Sequence, residues 1–188
     1  MKKSRSLTYN SPVVLTFVIV SFGVMVANYL TAGLSNKLLF MTYHSSLASP
    51  LTYVRMFTHV LGHSGWSHYI GNMMYMLLLG PMLEEKYGSR SIIEVILVTG
   101  LVTGLVTWFL FPNIALCGAS GVVFAFIMMT SFTSFKEGEI PLTVILVAII
   151  FIGQQVYEGI LVQDDISNMA HILGGIVGAI AGYVLNKK

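Results

Sequence analysis

The sequence predicts an all-α membrane protein, a bundle of six membrane-crossing helices with a long structured first external loop. Three observations carry that expectation. The composition is 55% hydrophobic and only 10% charged, with mean hydropathy +0.80, whereas an ordinary soluble domain carries about 25% charged residues. Apolar runs near span length recur between short charged or Pro- and Gly-containing turns, and about 20 apolar residues suffice to cross a bilayer as a helix. The basic residues also sort to one side if those runs are spans. A single domain, residues 1–188, accommodates the whole pattern.

Lys2, Lys3 and Arg5 precede the first apolar run, residues 13–32. A signal peptide has the same order of charge and hydrophobicity, but its apolar core is only ~7–15 residues long. This run has the length of a span and is read as a retained first span. Residues 33–67 carry Pro50, Tyr53, Arg55, His59, His63 and Trp66. They are too long for a turn and too weakly apolar to span, so a folded loop with short interfacial helices is expected. The second span, 66–83, runs into the charged stretch Glu84-Glu85-Lys86-Tyr87-Gly88, and the third, 91–111, is stopped by Pro112-Asn113. The fourth, 117–135, ends at Lys136-Glu137-Gly138-Glu139. The fifth, 140–161, follows from Pro141, and the sixth, 168–185, lies between Gln163-Asp164-Asp165 and Lys187-Lys188.

With a cytoplasmic N-terminus, Lys2, Lys3, Arg5, Lys86, Arg90, Lys136, Lys187 and Lys188 lie inside and only Lys37 and Arg55 outside. Eight against two is the asymmetry of the positive-inside rule. Both termini are therefore expected in the cytoplasm of a multi-pass cell-membrane protein, with the first loop and the start of the fourth span facing outward. The net charge of +2 says little about partners. The lone cysteine, Cys117, excludes an internal disulfide framework and a multi-cysteine metal site. Its apolar neighbours disfavour a thiolate, so a packing role is preferred to a nucleophilic one.

Gly118-Ala119-Ser120-Gly121 opens the fourth span. A serine at a helix N-terminus sits where unpaired N–H groups and the helix dipole favour developing negative charge, which suits an acyl-transfer nucleophile. The same small residues also suit close helix packing. Ionisable and polar groups inside spans are functional candidates by default. His68 and Asn72 share one face of the second span at i, i+4, and His171 lies in the sixth, one turn before Gly174 in the series Gly174, Gly178, Gly182. That series offers a smooth packing face. If the fourth and sixth spans pack on it, His171 can take the Ser120 proton as general base and return it to a leaving amine. His68, Asn72 and the Ser120 backbone N–H can then donate to the oxyanion.

Each residue also has a plainer reading. An intramembrane histidine can be a hydrogen-bonded packing residue, and Asn72 can be interhelical glue. His59, His63 and His68 suggest a metal, but no carboxylate stands near in sequence to complete the site. Gln154, Gln155 and Glu158 can line a polar passage or simply snorkel to water. No carboxylate has a spacing that would orient His171, so a dyad is more economical than a triad.

The sequence resembles the rhomboid intramembrane serine proteases of the small six-helix bacterial type. The likeness rests on Gly118-Ala119-Ser120-Gly121, His68-x-x-x-Asn72 and Ala170-His171-x-x-Gly174, with Glu84-x-x-x-Gly88 and Arg55, and covers about residues 54–178. It implies that Ser120 is the nucleophile, His171 the base, and His68, Asn72 and the Ser120 N–H the oxyanion donors. Gly118, Gly121 and Gly174 support them, and Phe124 takes the aromatic position against the His171 ring. His59 and His63 become structural loop histidines. Val54 stands where the family often has a tryptophan, and Phe124 where it commonly has a tyrosine. The implied activity is a serine-type endopeptidase that cuts in or beside transmembrane helices of single-span or other membrane-protein substrates. It would work in the lipid bilayer without a metal or nucleotide cofactor and without a nucleic-acid partner. Two rival readings are a catalytically silent rhomboid-like binder of membrane clients, disfavoured by the presence of both Ser120 and His171, and a small transporter or channel. The transporter would need charge deep in several spans, whereas nearly all the charge here sits at span ends.

Overall fold

The computed structural model describes residues 8–133, 139–161 and 165–186. Lys2, Lys3, Arg5, Lys136, Lys187 and Lys188, on which most of the orientation argument rests, lie outside the described residues, as do Glu137, Gly138, Gln163 and Asp164 and the side chains of Gln155 and Glu158. Among the described residues the α-helices are α1 (Pro12–Leu30), α2 (Pro50–Thr58), α3 (Trp66–Leu110), α4 (Ser120–Ser131), α5 (Leu142–Leu161) and α6 (Asp165–Asn186). Among the described residues, Pro12–Leu30, Trp66–Leu110 and Asn168–Asn186 are long and apolar enough to cross a membrane. The protein is thus an all-α, multi-pass membrane protein.

At 45 residues, α3 is roughly 68 Å of helix at 1.5 Å per residue, more than twice the hydrocarbon thickness of a bilayer. It breaks at Gly88, whose backbone (φ 81, ψ 154) is non-helical and open only to a residue without a Cβ. The two halves fold back on one another there: His68 from the first and Thr99 and Thr103 from the second all reach the Gly118–Gly121 segment. The stretch 84–87, expected as a turn, is helical, and the reversal falls on the single residue Gly88.

The first turn of α1 is capped from a distance. Pro12 has no N–H, Ser11 makes no capping bond, and the Glu84 carboxylate of α3 accepts from Val13 N–H (3.0 Å) and Val14 N–H (3.1 Å). Ser89 Oγ donates to the same carboxylate at 2.7 Å. An anion at a helix N-terminus satisfies orphan donors and complements the dipole at once. The core lies beneath this contact and between α3 and α4, where Val14, Met76, Leu83, Ile92, Val122, Phe126 and Met129 are fully buried.

Between α1 and α3 the chain forms a π-helix (Asn36–Phe40), a two-residue strand β1 (Thr42–Tyr43), the short α2 and a 3-10 turn (His59–Leu61). Arg55 is buried there with its guanidinium over the Tyr43 ring, donating to Tyr43 Oη (2.6 Å) and Ser45 Oγ (3.0 Å). A second two-residue strand, β2 (Ala115–Leu116), pairs antiparallel with β1, Thr42 opposite Leu116 and Tyr43 opposite Ala115. This loop is thereby fastened to the chain just ahead of α4.

The fourth helix is shorter than the 117–135 expected: it has 12 residues, roughly 18 Å, and cannot cross a bilayer alone. Residues 111–119 are not helical, because Pro112 stops α3, β2 is paired with β1, and Gly118 has φ +135. Irregular backbone at membrane depth is tolerated only where it is buried in protein or lines a wet cavity.

Candidate active site

Ser120 is the first residue of α4, so its side chain stands at the positive end of the helix dipole beside unpaired backbone N–H groups. What holds it there begins in the first loop. The His59 ring, fully buried, donates Nε2–H to Gly100 O (3.1 Å), and the His59 carbonyl accepts from Gly118 N–H (2.9 Å). His63 is also buried and donates Nδ1–H to Leu61 O at 3.1 Å. Burial lowers the pKa of both histidines to about 4, so each is neutral near pH 7. Both are therefore packing elements of the loop that positions Gly118. Among the described residues, no group of three or more His, Cys, Asp or Glu side chains stands close enough to hold a metal ion.

Gly118 brings backbone against α3. A Cβ built on it would stand 2.7 Å from His68 Cε1 and Nε2 and 3.8 Å from Asn72 Nδ2. The His68 Nε2 edge and the Asn72 amide thus flank one backbone segment, two residues before Ser120. Ser64 Oγ, 3.1 Å from His68 Nδ1, fixes the other edge of that imidazole. Asn72 is buried, and its Nδ2 has no hydrogen-bond partner among the described residues. Buried donors are almost always satisfied in native structures, so one held without an acceptor beside a cavity is chemically informative.

His171 arrives on α6, which packs closely on α4. A Cβ on Gly174 would collide with the Gly121 carbonyl, one on Gly178 with the Ala125 backbone, and one on Gly182 would stand 2.9 Å from Phe132. The glycine series is therefore the contact face along which the two backbones approach. The His171 ring lies 4.3 Å, centroid to centroid, from Phe124, one turn after Ser120. A Cβ built on Gly121 would stand 3.3 Å from Ala170 O of α6 and 3.4 and 3.5 Å from the Thr103 and Thr99 methyl groups of α3, so the backbone beside Ser120 is closely packed by both helices.

These contacts enclose a cavity of about 630 Å³, and His68, Asn72, Ser120 and His171 all line it. Side chains from three helices far apart in sequence thus converge on one space. Cys117, partly buried and free, lines it as well, as does Gln154 of α5, one of the residues for which passage-lining and snorkelling were both open. Sequence reasoning missed Asn168, which entered only as the start of a span. It lines the same cavity, three residues before His171 on α6, and that one-turn spacing is the signal that would have singled it out.

The model of the rhomboid domain family matches residues 50–188. The chain is 24% identical over 182 residues to rhomboid protease GlpG of Haemophilus influenzae, covering 92% of this chain and 91% of that protein. It is 31% identical over 160 residues to rhomboid-related protein 2 of Mus musculus, covering 74% of this chain and 53% of the relative. It is 23% identical over 184 residues to the chloroplastic rhomboid-like protein 11 of Arabidopsis thaliana, covering 90% and 64%. The chain therefore spans only about half to two thirds of the length of the last two relatives. A family match over most of the chain, on a helical membrane fold whose serine, histidines and asparagine share one cavity, places this protein in the rhomboid family.

Proposed function

We propose that the protein is an intramembrane serine endopeptidase with Ser120 as nucleophile and His171 as general base. The observation that carries this reading is the cavity shared by Ser120, His171, His68 and Asn72, with the Asn72 amide nitrogen left without an acceptor among the described residues. Ser120 Oγ attacks the scissile carbonyl as His171 takes its proton. The resulting oxyanion is held by the Ser120 N–H, His68 and Asn72, and the unpaired Asn72 donor gains an acceptor as negative charge develops. His171 returns the proton to the leaving amine, and water from the cavity hydrolyses the acyl-enzyme by the reverse roles. Every residue required is on the chain, so the reading needs no metal or nucleotide cofactor.

The substrates are single-span or other transmembrane proteins. A peptide carbonyl in a regular helix is hydrogen-bonded and crowded, so the substrate helix must unwind before attack. Helix-weakening residues and a small side chain at the cut are the expected preference. The basic residues orient both termini to the cytoplasm and the cavity to the outside. A reporter fused at Lys188 should report a cytoplasmic position and one inserted near Ser45 an external one, and the reverse pattern would overturn that orientation.

The chemistry is tested on purified protein in detergent with a single-span model substrate and a fluorophosphonate probe. Cleavage and labelling are expected from the parent and from Cys117→Ala, and neither from Ser120→Ala. Cleavage is also expected to be lost in His171→Ala, with the double variant no worse than either single one, since the two residues act together. Substantial cleavage by folded Ser120→Ala, or activity that vanishes with Cys117 instead, would refute the mechanism.

A further inference from the structure

Two side chains that line the cavity have amide nitrogens that are buried and without a partner among the described residues: Asn72 on α3 and Asn168 on α6. The first is accounted for by the oxyanion. The second is not. Asn168 is only 6% exposed and stands one helical turn before His171, and it reaches the cavity from α6, whereas the His68–Asn72 pair reaches it from α3. A buried unsatisfied amide costs about 1–3 kcal/mol, and that cost is relieved once an acceptor of suitable geometry enters the cavity. The acceptors that an unwound substrate brings are its own backbone carbonyls, freed from helical hydrogen bonds by the unwinding that the reaction requires.

We infer that Asn168 is a substrate-binding residue whose Nδ2–H₂ donates to a backbone carbonyl of the substrate beside the scissile bond, on the α6 side of Ser120. The inference rests on the protease reading. It differs from the role of Asn72 in kind. A contact to a flanking carbonyl exists in the Michaelis complex and in the transition state alike, so its loss raises KM and leaves the chemical step alone. A contact to the oxyanion forms only as the carbonyl becomes tetrahedral, so its loss lowers kcat.

The test compares the parent, Asn168→Ala and the isosteric Asn168→Asp in detergent with a single-span model substrate, with thermal unfolding measured on each. Asn168→Ala should raise KM about threefold to tenfold, the worth of one neutral hydrogen bond, with kcat within about twofold of the parent. Fluorophosphonate labelling of the variant checks that the dyad is still assembled. Asn168→Asp keeps the side-chain volume but replaces the donor with an acceptor, so it should raise KM at least as far. Three outcomes overturn the inference: KM unchanged in a folded Asn168→Ala; a fall in kcat with KM unchanged, which would place Asn168 with the oxyanion donors or with the dyad; or a normal KM in Asn168→Asp, which would show that the site needs shape and not a donor. Failure of the underlying reading looks different, since the parent would then neither cleave nor take the probe at Ser120.

Discussion

At Gly118 the absence of a single methyl group decides the geometry of the site. Its φ of +135 favours glycine, and a Cβ there would press on the His68 ring at 2.7 Å. Gly118→Ala should therefore strain the loop by about 1–2 kcal/mol and displace the imidazole. The expected result is a kcat at least tenfold lower in a protein that still folds; an unchanged kcat would show that His68 is not held as a donor. Asn72→Ala asks the complementary question. Losing a principal oxyanion donor costs ~2.7–4 kcal/mol of transition-state stabilisation and less where donors are redundant, so turnover should fall far more than affinity. Poor binding with normal turnover would move Asn72 to the binding surface. Ser120, His171, His68 and Asn72 stand out as candidates in the sequence because polar side chains are few in such apolar runs, their roles come from the family resemblance, and the structure brings them to one cavity. Asn168, one turn before His171, is passed over because an asparagine near a helix start reads as an ordinary capping residue, and the folded cavity adds that its amide nitrogen has no partner among the described residues.

At the scale of elements, the most informative contact is the one between α1 and α3. Glu84 supplies the cap that neither Ser11 nor Pro12 provides, and it does so four residues before the reversal at Gly88. Glu84→Ala would leave two N–H groups of α1 and the Ser89 hydroxyl without their acceptor. A loss of about 2–3 kcal/mol is expected, since hydrogen bonds to charged groups are worth about 1.5–3. It should appear as a lower unfolding temperature in detergent, with cleavage per folded molecule largely kept at low temperature. An unfolding temperature equal to the parent's would mean that α1 is held by its apolar face alone. A second element-scale expectation concerns the close contact of α4 and α6. Gly178→Leu would thrust a branched side chain into the Ala125 backbone and part the helices that carry Ser120 and His171. Cleavage and fluorophosphonate labelling should fall together, whereas normal labelling would show that the dyad does not depend on this contact. The glycine face was readable from its steps of four. The two-residue strands were not, because a ladder that short leaves no periodicity to read, and their pairing is part of why α4 begins at Ser120 rather than earlier.

For the whole molecule, hydropathy showed that the chain lives in a membrane, but not how its first loop folds. Residues 33–67 have no regular period, and their order comes from tertiary bonds such as those of Arg55 to Tyr43 and Ser45, and of His59 to Gly100. That dependence has a consequence for stability. His59 and His63 are buried with pKa values near 4, against an ordinary 6.5, so the unfolded chain takes up protons on them at a higher pH than the folded protein does. Stability therefore rises with pH wherever the unfolded state binds more protons. The contribution is fully present above pH 6.5, falls progressively as the pH drops towards 4, and does not fall further below that. Because a tenfold difference in proton affinity between the folded and unfolded chain is worth ~1.4 kcal/mol, each histidine can account for up to about 3 kcal/mol. Unfolding in detergent should accordingly become markedly easier between pH 7 and pH 4.5. His59→Gln keeps an N–H for the Gly100 carbonyl but cannot titrate, so it should be less stable than the parent at pH 7 and show a shallower loss on acidification. A variant with the parent's full pH dependence would remove His59 from the account, because the proton uptake that destabilises the loop would then have to occur elsewhere.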